Sequence, residues 1–174
     1  KKLCKDFNIP TAKYEEFDNF EKAKSFIEEN QHPLVIKSDG LAAGKGVTIS
    51  SSIEETLKCA KEILDGKFKS SKKFIIEEFL EGEEASYFII TDGDHYIPIG
   101  TAQDHKRIGE GDTGPNTGGM GAYSPSLIIN ENIEKKIQTK IIEPTLKGLN
   151  KIGCKFTGIL YAGLMISNGE PTLI

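Results

Sequence analysis

The segment DGLAAGKGV, residues 39–47, sets Gly40, Gly44 and Gly46 around Lys45, with Lys37 just upstream. Glycines let backbone N–H groups turn toward an anion without Cβ clashes, and the two lysines add positive charge. The chemistry this suits is phosphate binding. A Walker loop would need four residues before its Gly-Lys pair and a hydroxyl just after it. Here three residues intervene, and Gly46 stands in the hydroxyl's place. The flanks PLVIK and GVTIS both read as strands, so no helix N-terminus faces the loop. Two readings fit these residues alone: a flap over phosphates, or a glycine-rich hairpin with solvated lysines.

A second candidate is IIEEFLEGEE, residues 75–84. On an extended strand Glu77 and Phe79 share one face, and Glu78 and Leu80 the other. Glu77 then stands among apolar neighbours, where an unpaired carboxylate is costly. An exocyclic amine such as adenine's would satisfy Glu77 or a neighbouring carbonyl, with the Phe79–Leu80 backbone along the ring edge. Glu84 could accept from two ribose hydroxyls. The same residues also fit an edge strand with a solvated acidic side.

The third and most specific segment is TAQDHKRIGEGDTGPNTGGMGAYSP, residues 101–125. It packs six glycines between Gly109 and Gly121 beside Asp104, His105, Lys106, Arg107 and Asn116. A glycine-rich loop from about Gln103 to Pro125 is too long and too costly in backbone entropy for a plain connector. Its N–H donors and basic cluster suit a phosphorylated small molecule. Arg107 is the only arginine in the chain. Arginine gives the planar, bidentate recognition of carboxylate or phosphate that lysine cannot. The alternative is a disordered loop whose arginine is chance. His105 fits a substrate contact and a surface histidine equally well.

The elements that must carry these groups can be read from periodicity. Phe20, Ala23 and Ile27 mark a helix that Asp18 and Glu21 should cap, ended by His32-Pro33. Ser52 and Glu55 form a capping box, followed by a stripe of Ile53, Leu57, Ala60 and Leu64 and a stop at Asp65-Gly66. EASYFIIT and HYIPIG flank Asp92-Gly93 as a hairpin, and TGILYAGLMI pairs with PTLI across Asn168-Gly169. A helix through Ile133, Ile137 and Ile141 meets Pro144, which should kink or end it.

The chain has 174 residues, 37% hydrophobic and 28% charged, with net charge −4. That is ordinary for a globular protein and advertises neither nucleic acid nor membrane as a partner. Cys4, Cys59 and Cys154 have no paired spacing and read as reduced thiols of a cytosolic protein. The first residue is Lys, and PTLI lies in an apolar run with no turn signal, so we read a piece of a longer chain lacking residues at both ends.

A lysine ending a strand, a glycine flap, and E-x-x-L followed closely by a second Glu resemble the ATP-grasp fold. DGLAAGKGV, EEFLEGEEAS and QDHKR…DTGPNTGGMGAYSP together resemble the glycinamide ribonucleotide synthetase family of ATP-grasp enzymes over essentially the whole chain. The resemblance implies an α+β fold with two lobes clamping ATP and largely antiparallel sheets. It implies residues 1–13 leading in from an N-terminal domain, 14–80 as the small lobe and 81–174 as the larger one. It makes Lys37, Gly44, Lys45, Gly46, Glu77, Glu78, Phe79, Leu80 and Glu84 the ATP contacts. Asp104, His105, Lys106, Arg107, Asn116, Thr117, Gly118 and Gly119 become substrate contacts, with Lys37, Lys45 and Arg107 serving the chemistry. The implied reaction joins glycine to 5-phosphoribosylamine through glycyl phosphate, in a cytoplasmic monomer. Mg²⁺, or Mn²⁺, is the implied metal, with ligands expected beyond Ile174, so the segment alone should be weak or inactive. Other ATP-grasp carboxylate–amine ligases, or an ATP-binding module without chemistry, are the competing readings.

Overall fold

The computed structural model describes residues 1–40, 46–68, 73–111 and 113–174, apart from the side chains of residues 115 and 116. In chain order the first elements are α1 (Lys2–Asp6), β1 (Tyr14–Phe17), α2 (Phe20–Glu29), β2 (Leu34–Ser38), β3 (Val47–Ser50), α3 (Ile53–Leu64) and β4 (Phe74–Glu78). Then come β5 (Glu83–Thr91), β6 (Tyr96–Asp104), β7 (Arg107–Gly109), β8 (Thr113–Asn116) and β9 (Ala122–Tyr123). The last are α4 (Glu131–Ile137), a π-helical stretch (Gln138–Ile142), α5 (Glu143–Lys151), β10 (Gly158–Ser167) and β11 (Glu170–Leu173). They form two compact units: Ala12–Leu80, and Lys1–Thr11 together with Glu81–Ile174.

In Ala12–Leu80 the sheet order is β1-β4-β2-β3, every pairing antiparallel. Period-two alternation sends Phe17, Leu34, Ile36, Phe74 and Ile76 into one core with Ala23 and Ile27 of α2 and Ala60 and Ile63 of α3. Phe17 ties it together, its ring centroid 5.3 Å from Phe26 and 5.8 Å from Phe74. The cap of α2 is Asn19, not Asp18: the Asn19 side chain accepts from the Lys22 amide at 3.1 Å, the geometry an N-cap requires. The helix ends at Glu29, ahead of His32-Pro33.

Ser52 caps α3 through the Glu55 amide at 3.2 Å, while Glu55 reaches back to Ser51 at 3.0 Å and not to Ser52. The buried stripe of α3 is rotated from the expected one. Ala60 is buried as expected and Leu57 and Leu64 pack half-buried against the core, but Ile53 is 43% exposed, and Thr56 and Ile63 are buried beside Ala60. Thr56 can be buried because its hydroxyl is satisfied, with Ser52 O at 2.8 Å, Ser50 Oγ at 2.7 Å and His32 Nε2 at 2.9 Å.

In the other unit the sheet order is β11-β10-β5-β6-β9, again antiparallel throughout. Tyr87, Ile89, Leu164 and Ile166 meet Ile133, Ile137, Ile141, Ile142 and Leu146 of the helical run, with Cys4 and Ile9 from the first residues. The α-helix gives way after Ile137 and resumes at Glu143 with Pro144 in its first turn, where a missing N–H is tolerated. Gln138, at the start of the π stretch, donates to the Tyr87 hydroxyl at 3.1 Å, and that hydroxyl donates to Glu134 at 2.9 Å. β10 and β11 turn tightly at Asn168 and Gly169, both at positive φ, as a two-residue hairpin requires.

Residues 103–125 are not one long loop. β6 runs on to Asp104, β7 and β8 form their own ribbon, and β9 pairs back on β6. Part of the glycine content serves this ribbon: a Cβ on Gly109 would lie 2.6 Å from Thr113 Oγ1. Among the described residues no helix is long and apolar enough to cross a membrane.

Candidate functional site

In Ala12–Leu80 one sheet face carries the core and the other carries the charge. Lys37 pairs in register with Ile75 and Val47, and Val35 with Glu77, so all share the face opposite Ile36 and Ile76. Lys37 Nζ lies 3.0 Å from Glu77 Oε2, and only 3% of the Glu77 side chain is exposed. The two polar groups that sequence reasoning placed separately, one for phosphate and one for the base, are partners. Tyr14, which the sequence did not single out, stands opposite Glu77 on β1. Residue types in YEEF do not alternate, so only the β1–β4 register reveals it.

Gly46 lies where the hairpin opens, its carbonyl accepting from the Ser38 amide at 2.8 Å. The connection it belongs to therefore runs strand to strand. Gly44 and Lys45 lie outside the described residues. Glu78 is held by the approach to β1: its amide donates to Lys13 O at 3.0 Å, and its carboxylate accepts from Lys13 N at 2.8 Å. Phe79 and Leu80 follow the strand end, both half-buried.

In the second unit Glu84 begins the open face of the sheet. Ser86, Phe88, Tyr161 and Met165 share that face by register, and the Phe88 and Tyr161 rings pack at 5.4 Å. Period-two geometry along β5 sets Phe88 on the Glu84 face, and β10 adds Tyr161 and Met165 to it. Lys106 Nζ lies 3.0 Å from Glu84 Oε2 and 3.7 Å from Asp104 Oδ2. Burial works against the ammonium more than any other single influence. The Glu84 hydrogen bond and the charges of Glu84, Asp104 and Tyr161 together outweigh it and leave the Lys106 pKa raised.

Around this cluster the glycine-rich segment is cross-linked to itself. Lys106 O accepts from the Thr117 amide at 2.6 Å and from Thr117 Oγ1 at 2.8 Å, and the Gly119 amide donates to Thr117 Oγ1 at 3.0 Å. The Met120 amide donates to His105 O at 2.7 Å, and the His105 amide to Gly121 O at 2.9 Å. Several amides that the sequence offered to an anion are thus engaged within the segment itself. Gly119 sits at φ +124, which disfavours any other residue there. Gly118, beside it, has open space where a Cβ would be. Arg107 is half-buried in register with Asn116, and the His105 ring packs 5.8 Å from Tyr123.

A strand-to-strand glycine hairpin in one α+β unit, and an antiparallel sheet with a charged open face in the other, define a protein of the ATP-grasp class. The model of one ATP-grasp family, described as phosphoribosylglycinamide synthetase, ATP-grasp (A) domain, matches residues 1–174. The chain belongs to that family. It is 52% identical to the chloroplastic phosphoribosylamine–glycine ligase of Arabidopsis thaliana, over all of this chain and 34% of that protein. It is 49% identical to the phosphoribosylamine–glycine ligase of Brucella melitensis, over all of this chain and 41% of that one. A crystal structure of phosphoribosylamine–glycine ligase from Thermotoga maritima superposes with a TM-score of 0.91 at 36% identity, covering 99% of this chain and 44% of that one. The chain thus spans well under half the length of these relatives.

Proposed function

We propose that this chain is the nucleotide-handling part of a phosphoribosylamine–glycine ligase. The reaction joins glycine to 5-phosphoribosylamine with ATP as the phosphoryl donor, by way of glycyl phosphate. The observation that carries the reading is the folded β6–β9 segment. A plain connector would not organise Asp104, Lys106 and Arg107 around a cross-linked glycine turn, and the family match runs through it without a break.

The residues fit a nucleoside triphosphate in kind. Lys37 presents a cation at a strand end beside the apolar Val35, Ile75 and Val47, and Glu84 presents a carboxylate on an open face. ATP, when bound, supplies the phosphoryl group that activates the glycine carboxylate. Lys37 and Lys45 balance phosphate charge, and Glu77 holds the Lys37 ammonium in place. The stretch Glu77–Leu80 lines the adenine edge, and Glu84 takes the ribose hydroxyls. Asp104, His105, Lys106, Arg107 and the Asn116–Gly119 turn orient glycine and the phosphoribosyl amine. Mg²⁺, or Mn²⁺, accompanies the phosphates. Among the described residues no three His, Cys, Asp or Glu side chains gather as metal donors, so its protein ligands are assigned to no described residue. We place the protein in the cytoplasm as a monomer that engages neither nucleic acid nor membrane.

The test is ATP consumption by the intact protein. It should require glycine and 5-phosphoribosylamine together, whereas residues 1–174 alone should turn over weakly or not at all. Turnover with another carboxylate–amine pair in place of these two would overturn the assignment.

A further inference from the structure

The two ends of Lys106 hold two different parts of the second unit. Its ammonium meets Glu84 on β5 at 3.0 Å and Asp104 at the end of β6 at 3.7 Å. Its carbonyl takes both the amide and the hydroxyl of Thr117, whose Oγ1 in turn receives the Gly119 amide. A carboxylate has two oxygens, and Lys106 engages Oε2 of Glu84. A ligand hydroxyl arriving at Oε1 would therefore find a carboxylate already oriented, and would fix it further. Fixing Glu84 fixes the ammonium of Lys106, and through it the carbonyl on which the Thr117–Gly119 turn hangs.

We propose that Lys106 is a positioning residue that couples the diol-binding carboxylate Glu84 to the Thr117–Gly119 turn, so that nucleotide and second substrate bind cooperatively. This rests on the functional reading above, in which Glu84 faces the ribose and the turn faces the phosphorylated substrate. The ordering needed by the second ligand is partly done by the first, which is positive coupling without a large movement. Glu84 and Lys106 are each more than two-fifths exposed, so the pair adds little to overall stability. Its variants should fold.

The test measures Kd by calorimetry on the intact protein, for ATP and for 2′,3′-dideoxyATP, each with and without ribose 5-phosphate as probe of the second site. Wild type should prefer ATP over the dideoxy analogue by about ten-fold, and ribose 5-phosphate should tighten ATP by about five-fold but leave the analogue unchanged. Lys106→Gln should bring both ratios close to one, and Lys106→Arg should keep most of each. Glu84→Gln breaks the same pair from its other end and should give the same double loss, which keeps the test informative if Lys106→Gln folds poorly. Either ratio surviving at its wild-type value in Lys106→Gln overturns the inference while leaving the ligase reading intact, as does wild type showing no tightening. Wild type failing to bind ATP overturns both.

Discussion

The Lys37 ammonium and the Glu77 carboxylate lie 3.0 Å apart on one face of a four-stranded sheet, the lysine about one-quarter exposed and the glutamate almost wholly buried. Burying charge is costly unless it is paired, so each residue makes the other tolerable. Lys37→Gln should therefore destabilise Ala12–Leu80 by about 2–3 kcal/mol, read as a lower urea midpoint. The double replacement Lys37→Met, Glu77→Leu should recover most of that, since an apolar pair of similar volume avoids the desolvation cost. If the pair serves ATP as proposed, the double variant will be stable and yet bind ATP at least ten-fold more weakly. A stable double variant with unchanged ATP affinity would remove both residues from the site.

Thr117 accepts one hydrogen bond and donates another within the glycine segment. Thr117→Val keeps the shape but takes the acceptor from the Gly119 amide and the donor from Lys106 O. The expected result is a rise in KM for 5-phosphoribosylamine of about ten-fold, near 1.4 kcal/mol, with KM for ATP altered less. Thr117→Ser, which keeps the hydroxyl, should restore most of the loss.

Gly82 has φ +157, and a Cβ there would lie 2.5 Å from the backbone carbonyl oxygen of Ile166. A carbonyl inside a sheet cannot step aside as a side-chain tip can. Gly82→Ala should cost about 2–4 kcal/mol, seen as a fall in the thermal midpoint of several degrees. At Gly118 a Cβ would enter open space among the described residues, so Gly118→Ala should leave the midpoint nearly unchanged and serves as the control.

Acid should weaken the fold in a defined window. The amides of His95 and Asp94, then the His95 side chain, hold the Asp92 carboxyl down at about 2, and hydrogen bonds from Lys136 and Lys140 hold Glu170 at about 2. Both folded values lie below the ordinary carboxylate range, so the stabilisation is complete above that range and is lost as pH falls from about 4 through 2. Urea midpoints should fall across that interval. Asp92→Asn combined with Glu170→Gln should flatten the fall; an equally steep fall in the double variant would assign it to other groups.

Much of this fold was legible because its signals are local. Strands such as PLVIK and EASYFIIT are rich in β-branched and aromatic residues, Ser52 caps its helix, and Asn168-Gly169 makes a tight turn. Where reading failed, the deciding partner was distant in sequence. The α3 stripe turned toward Thr56 because His32 and Ser50 were there to satisfy its hydroxyl. The glycines of residues 103–125 looked like one loop because ladder pairing between short, glycine-broken strands leaves no periodic trace. For the site, residue types were readable and partnerships were not. Nothing in the sequence joins Lys37 to Glu77 or Glu84 to Lys106, because sheet register brings the first pair together and the turn that follows β6 brings the second.

Residues 1–11 belong with the later of the two units: Pro10 O accepts from the Leu173 amide at 2.8 Å, and Thr11 bridges Leu173 in parallel. During synthesis the stretch from Ala12 to Leu80 is therefore a finished, contiguous body, while the leading segment waits for a strand the ribosome has yet to make. Residues 12–80 can be produced as a simple truncation, but the remainder needs an artificial splice joining residue 11 to residue 81.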